Sequence, residues 1–235
     1  TDVLADWKAL EKQYSSHILK AIESSVQADG YVPTGLYDFK TGKQTSSGLD
    51  EYRTNCDWEN MLLAYPTELF QPKHTYVQST LKHIRKNYAE GIMTYRHGEF
   101  LHQYITANLI EQYMVAGDSR QALIDFYHLI WHAGSTLEGF ENMIFPWKDR
   151  LVDPRCPSPH AWAAAKTAFL IRNFMLHEYG GNIENASERD LYIYPVVSPA
   201  WATPGEHLAM VNAPSEFGWI TSRLAFTKNG ATLTY

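Results

Sequence analysis

The sequence has few cysteines and no long apolar run. Its two cysteines, Cys56 and Cys156, are too few for a disulfide framework. They could pair, because both fall in connections expected at one end of the molecule, or stay free thiols. No apolar stretch approaches the roughly 18–20 residues that span a bilayer, so we expect no membrane partner. No signal peptide is recognisable, and the sequence starts at Thr1 without Met, which we interpret as a processed or truncated N-terminus.

Positive charge is also scarce. The net charge is −6 and the sequence pI is about 5.9, which argues against nucleic acid or an anionic membrane as a partner. Nucleophile signatures, phosphate-binding loops and dinucleotide fingerprints are absent, and we therefore predict no cofactor. One glycosylation sequon, at Asn185, leaves the compartment open, with a secreted or periplasmic location favoured.

Aromatic residues, in contrast, are abundant. The chain contains 7 Trp and 15 Tyr, more than a plain helical bundle needs, and a hydrophobic content of 45% that suffices for one or two domains. Tyrosine and tryptophan rings are amphipathic and stack well on flat, partly apolar surfaces such as sugar rings.

Helical periodicity dominates to about residue 180. It predicts six helices at about 3–28, 56–65, 74–89, 99–117, 120–134 and 160–178. Beyond them come short β-rich runs broken by Pro, Gly and Asn, such as "HLAMVNAP" and "FGWITSRLAFT". We therefore expect a mainly α domain over residues 1–180 and a small antiparallel β module over residues 181–235.

The connections between the predicted helices differ in length and character. If the helices pack up and down, the first, third and fifth connections share one end, and these are the long ones. The fifth, "STLEGFENMIFPW" over residues 135–147, holds two acids, two Phe and one Trp, whereas ordinary connections are short and rich in Gly, Ser, Asn and Pro. Functional loops cluster in this way on rigid scaffolds.

Four motifs occur in an order that resembles a known family. "DWENMLL", "STLEGFENMIFPW", "PHAWAAAKTAFLIRNFML" and "PGEHLAMVNAPSEFGWI", within residues 50–225, are similar to the second half of a bacterial glycosidase with a six-hairpin (α/α)6 toroid. The resemblance implies antiparallel helical hairpins and an oligo- or polysaccharide in a cleft at the N-terminal ends of inner helices. Six helices are half of such a toroid, so the remainder is missing from this chain, comes from another chain, or the ring is smaller.

Glycoside hydrolysis uses two carboxyl groups on opposite sides of the bond. We predict Glu138 as the general acid, with Asp57 or Glu59 opposite, because Glu138 and Glu141 would share one face of a helical turn. Glu141 is then a substrate-binding candidate. The alternative is that these acids cap helices or pair with nearby arginines, namely Arg53, Arg96 and Arg150.

Several aromatic and basic residues are further candidates for binding the substrate. The aromatic candidates for stacking on sugar rings, each of which could instead be core, are Trp58, Tyr95, Phe140, Trp147 and Trp162. His160 opens the sixth predicted helix, where it either hydrogen-bonds to a sugar hydroxyl or to the acid, or packs at the helix N-terminus. A rival polysaccharide lyase, in which a Tyr or His takes the proton beside a uronate carboxylate that an Arg or Asn neutralises, would be served by Tyr95, Arg96, His97 and His102.

Two spacings resemble metal sites without completing one. Glu99 and His102 are three apart as in di-iron bundles, but the second such motif is missing. His128 and His132 lack the intervening Glu of a zinc protease. We therefore predict no metal. A third alternative for the chain is a non-catalytic, glycan-binding fragment of a larger enzyme.

Overall fold

The structure, a computed structural model, describes residues 3–34, 60–95, 98, 100–144, 158–180 and 189–235. Five α-helices lie within these ranges. Their bounds are α1 Val3–Ser25, α2 Thr75–Arg85, α3 Gln103–Val115, α4 Ser119–Trp131 and α5 Ala161–Met175. None of them combines the length and the apolar character that crossing a membrane requires.

The described residues also form three antiparallel sheets. The first contains β1 Tyr88–Ala89, β2 Ile92–Tyr95, β3 Phe100–Leu101 and β4 Met143–Ile144, in that order. The second pairs β5 Leu176–Tyr179 with β6 Asp190–Ile193. The third contains β7 His207–Ser215, β8 Gly218–Thr227 and β9 Gly230–Thr234.

The prediction of a mainly α fold made of toroid-type helical hairpins is therefore wrong. The fold is mixed, because two of the three sheets include residues that the periodicity assigned to helices or to their connections. A two-residue hairpin turn at Glu90 and Gly91, both with positive φ, starts the first sheet. Such a turn matches the twist of paired strands, so the chain folds back there instead of continuing helix 74–89.

The second predicted helix is also wrong over its described part. Residues 60–65 form turns, and the backbone of Tyr65 is bonded elsewhere. The buried amide of Gln112 accepts from the Tyr65 N–H at 3.0 Å and donates to the Tyr65 carbonyl at 2.7 Å. Because a side chain satisfies both backbone groups, this segment needs no helical ladder in order to be buried.

Helix α3 is the centre of the molecule. Every residue from Gln103 to Gln112 is buried, although the run includes several polar side chains. One core cluster joins α3 to α2 and the turns near residue 63, and another joins it to α4 and α5. A helix that is buried on all sides packs against its neighbours all round. Helix α3 therefore positions the ends of the helices beside it.

The C-terminal sheet packs on the end of α5 through the β5–β6 hairpin. Tyr194 donates to the Leu208 and Ser222 carbonyls, and Leu176, Tyr194 and Met210 form a buried cluster. The boundary proposed at residue 180 stays a prediction. Strand β5, which precedes it, pairs with β6, which follows it.

Candidate functional site

The N-terminal ends of α3 and α5 lie side by side and bring five rings together. We call these rings the aromatic row, and its members are Tyr95, His102, Tyr104, His160 and Trp162. The ring centroids of Tyr104 and Trp162 are 5.1 Å apart in a stacked arrangement, and that of His160 is 5.2 Å from Tyr104. At the other end of the row, His102 contacts Tyr104 at 4.6 Å and Tyr95 at 5.3 Å. Trp162 is 59% exposed, so the row reaches the surface.

Local sequence explains why the loop after α4 can lie so close to the start of α5. Its N-cap is His160, whose Nδ1 accepts from the Ala163 N–H at 3.3 Å. Small residues follow, and a Cβ added to Gly139 would lie 2.5 Å from the Ala163 Cβ. The segment after α4 therefore crosses the start of α5 at a distance that only glycine permits.

Gln103 fixes the loop between α4 and β4, residues 132–142, to the start of α3. Its buried side chain donates to the Leu129 carbonyl at 3.0 Å and accepts from the Phe140 N–H at 2.8 Å. The Gly139 carbonyl in turn accepts from the His160 N–H at 3.0 Å. The acidic segment singled out in the sequence is thus held against both helix N-termini, where the dipoles favour oxygen-rich ligands.

His102 is the buried histidine of the aromatic row. It is 2% exposed, and burial, assisted by the nearby His160, lowers its pKa to about 3. The imidazole is therefore neutral at physiological pH. A neutral ring in this position adds polarity to the row without adding charge.

Glu138 lies in the α4–β4 loop with its carboxylate held locally. The Thr136 hydroxyl donates to Oε2 at 2.7 Å and the Thr136 N–H donates to it at 3.0 Å. The Thr136 hydroxyl, followed by backbone N–H groups, lowers the pKa of Glu138. A carboxyl group held in this way is ionised, which suits a base or nucleophile, whereas a general acid needs a raised pKa.

The other predicted site residues divide into two groups. Phe140 packs against the buried cluster of Ile92, Leu101 and Met143, and the half-buried Glu141 follows it in the same loop. The remaining candidates lie outside the described residues, and these are Asp57, Trp58, Glu59, Arg96, His97 and Trp147. Cys56 and Cys156 lie outside them too.

The sequence reasoning missed Tyr104 and Gln103 and used His102 only in a metal or lyase context. Tyr104 is the residue that links the two halves of the row. A signal was present, because "HQY" places a histidine and an aromatic residue at the start of an apolar helix, as "PHAW" does at residues 159–162. Their proximity depends on α3 and α5 packing in parallel, which periodicity does not report.

Neither of the two spacings that resemble metal sites is completed by a third ligand in the part of the chain that the structure describes. No three His, Cys, Asp or Glu side chains there lie close enough together to hold a metal ion. Both ring nitrogens of His132 are engaged, one with the His128 carbonyl at 2.7 Å and one with Glu90 at 3.1 Å. Glu99, the partner of His102 in the other spacing, lies outside the described residues.

No protein-family model, curated protein or solved structure matches this chain.

Proposed function

We propose that this chain is a carbohydrate-active hydrolase that binds an oligo- or polysaccharide along the aromatic row. The observation that carries the proposal is the exposed Trp162 stacked over Tyr104 beside His160. Sugar rings have apolar faces that stack on such aromatic surfaces and hydroxyl groups that bond to neighbouring imidazoles. The adjoining helix N-termini add partial positive charge suited to the sugar oxygens.

The α4–β4 loop supplies one of the two carboxyl groups for the reaction, that of Glu138. The lowered pKa of Glu138 favours its ionised form, so we assign it the role of base or nucleophile. The proton donor in this proposal is Asp57 or Glu59. Their roles are thus the reverse of the initial prediction, in which Glu138 was the acid.

The first experiment tests binding. Purified chain is titrated with a panel of soluble oligosaccharides by calorimetry, and Trp162→Ala is compared with Trp131→Ala, which removes a more exposed tryptophan on α4. Trp162→Ala is expected to weaken binding about tenfold, which corresponds to roughly 1.4 kcal/mol. Trp131→Ala is expected to bind as the wild type does. Equal effects of the two substitutions would refute binding at the row.

The second experiment tests hydrolysis. Reducing-sugar release is measured for Glu138→Gln, which keeps the size of the side chain, and for Glu206→Gln at an exposed position as the control. The expected loss for Glu138→Gln is about 10²–10⁴-fold in kcat, whereas the control retains full activity. Products that absorb in the ultraviolet would instead identify a lyase. Binding without turnover, unchanged by Glu138→Gln, would identify a non-catalytic glycan-binding protein.

A further inference from the structure

Helix α1 exposes a continuous apolar surface to solvent. We call this surface the α1 stripe, and its members, which are between 40% and 72% exposed, are Val3, Leu4, Trp7, Leu10, Tyr14 and Ile18. Their spacing of mostly three or four residues places them on one side of the helix. Ile22 and Ser25 continue the same side and are buried, Ile22 in the core cluster that α2 and α3 share. One side of α1 therefore lies in the core at its C-terminal end and in solvent over the rest of its length.

Packing within the chain does not account for the helical structure of the first half of α1. Every residue from Val3 to Tyr14 is exposed. Isolated helices shorter than about 12–15 residues are marginal in water, because most helical stability in proteins comes from packing of an apolar face. A partner packed against the α1 stripe would supply that stability.

The size of the α1 stripe suits a protein–protein interface. A buried aromatic ring removes about 150–250 Å² from water, so Trp7 and Tyr14, at 72% and 62% exposure, offer on the order of 250 Å². The four aliphatic side chains bring the stripe to the order of 500 Å², and the largest apolar patch on a monomer, about 300–600 Å², is often functional. Two such stripes in contact would bury on the order of 1,000 Å², the lower limit for a specific interface.

The charges of α1 favour a protein over a membrane as the partner. Its three acids and three lysines balance, and they are Asp6, Glu11 and Glu23, and Lys8, Lys12 and Lys20. A helix that lies on a membrane surface has a polar face rich in Lys and Arg. Neither α1 nor the whole chain, with a net charge of −6, has an excess of cations. A helix without net charge can instead pack against a copy of itself without net repulsion.

The stripe also contains one carboxylate, which selects the direction of such packing. Glu11 follows Trp7 by four residues and accepts from the Ser15 hydroxyl at 3.1 Å. In a parallel pair of α1 helices, Glu11 would face its own copy, and like charges directly opposed are destabilising. In an antiparallel pair with Trp7 opposite Ile18 of the second copy, Glu11 lies opposite Tyr14 of that copy. The tyrosine hydroxyl can donate to the carboxylate there.

The same antiparallel register brings opposite charges together on the flank of the stripe. Asp6 falls within one residue of the level of Lys20 of the second copy, and both side chains are exposed. Because the pair is symmetric, this contact occurs twice. The order of charges along α1 is therefore complementary to itself in the antiparallel direction.

We propose that the α1 stripe is the site at which a second copy of this chain docks, through antiparallel packing of the two α1 helices about a two-fold axis. Each stripe covers the other, so association ends at the dimer. The stripe shares no residue with the aromatic row or with the α4–β4 loop. The inference therefore does not depend on the proposed function.

The first test measures the oligomeric state of the whole chain by analytical ultracentrifugation at about 1–200 µM. The wild type is expected to form a dimer with a Kd on the order of 10 µM, since an interface near the lower size limit is weak. Trp7→Glu, at a position where the exposed side chain is not needed for the monomer fold, is expected to weaken the dimer at least tenfold. Trp131→Glu, which changes a still more exposed tryptophan on α4, is the control and is expected to dimerise as the wild type does. Tyr14→Glu gives a second route if Trp7→Glu does not fold.

The second test identifies the direction of packing by charge reversal. Fourteen residues of helix, or about 21 Å, separate Asp6 from Lys20, so the two side chains cannot meet within one chain. Asp6→Lys and Lys20→Asp are each expected to weaken the dimer about three- to tenfold at about 50 mM salt, where screening is modest. The double variant is expected to restore the Kd to within about twofold of the wild type. Losses through the helix dipole would add up in the double variant, so restoration requires contact between two copies.

Three results would overturn the inference. One is a wild-type chain that stays monomeric throughout the concentration range. Another is a dimer that Trp7→Glu leaves intact or that Trp131→Glu disrupts equally. The third is a monomer that binds phosphatidylcholine or phosphatidylserine vesicles through Trp7, since the stripe would then be a membrane-binding face. Failure of the double reversal to restore the dimer would refute the antiparallel arrangement.

Sugar binding and hydrolysis are expected to be unchanged in Trp7→Glu, because the stripe is separate from the aromatic row and from Glu138. A failure of the dimer with hydrolysis retained, or the reverse, would therefore separate this inference from the proposed function.

Discussion

Glu111 and Lys166 form a buried ion pair between α3 and α5 in which burial outweighs the attraction of the partner. The Nζ–Oε2 distance is 3.4 Å, and Glu111 is fully buried while Lys166 is partly exposed. Desolvation raises the pKa of Glu111 to about 7, even though Lys166 acts in the opposite direction. The carboxyl group therefore holds a proton in the folded state that the unfolded chain releases near pH 4.5.

This difference predicts how Glu111→Gln alters stability. At Glu111 the folded state binds more protons than the unfolded state between about pH 4.5 and 7, so the contribution of this one group to stability falls as pH rises through that window. The neutral Gln removes that loss, and we expect Glu111→Gln to be more stable than the wild type by about 1–3 kcal/mol at pH 8. Urea unfolding at pH 5 and pH 8 measures the difference. Glu206→Gln, on the surface, is the control, and an equal response of both variants to pH would contradict the prediction.

At the scale of elements, the short sheet β1–β4 accounts for much of what periodicity did not predict. Helices α1 and α4 were predicted to within a few residues because each carries its apolar pattern in its own sequence. Strand β4, however, pairs with β3 about 42 residues earlier, and that pairing requires the tertiary arrangement. The aromatic row has the same origin, since Tyr95, Tyr104 and Trp162 come from three separate elements.

The turn between β1 and β2 allows a test of how rigid the contact between this sheet and α4 is. Gly91 has φ +82°, and a Cβ there would lie 2.3 Å from the His128 ring on α4. We expect Gly91→Ala to lower the free energy of unfolding by about 2–4 kcal/mol, through backbone strain and the displaced imidazole. Urea denaturation measures it.

Gly117→Ala is the matched control, because φ is +79° and an added Cβ would meet nothing within 4 Å. Strain alone should cost about 1 kcal/mol there. If both substitutions have equal cost, the contact between the hairpin and α4 is not rigid.

For the molecule as a whole, three buried groups set a pH dependence of stability. The pKa of His102 is lowered to about 3 and that of His177 to about 4, whereas that of Glu111 is raised to about 7. Below pH 6.5 the unfolded chain takes up two protons on the histidines, while the folded chain holds one extra proton on Glu111. The net uptake on unfolding is about one proton, so acid destabilises the fold.

We therefore expect maximal stability between about pH 6.5 and 7, with a loss of about 2–3 kcal/mol by pH 4.5. Above pH 7 these three groups add no further change. Chemical denaturation across pH 4.5–8 measures the profile, and His177→Phe should flatten its acid limb. A stability that keeps rising as pH falls from 6.5 to 4.5 would contradict this assignment of protonation states.

By itself, the sequence determined which helices carry a clear apolar stripe and that the C-terminus is rich in β-strands. It also showed that the connection over residues 135–147 is unusually rich in acidic and aromatic residues. These properties depend on local propensity and periodicity, which act within a few residues. The tertiary structure decided that the central stretches pair as strands, that Tyr104 joins His160 and Trp162 into one row, and that His177 is buried. Those outcomes follow from packing between distant elements, and the protonation states follow from burial, neither of which a local pattern contains.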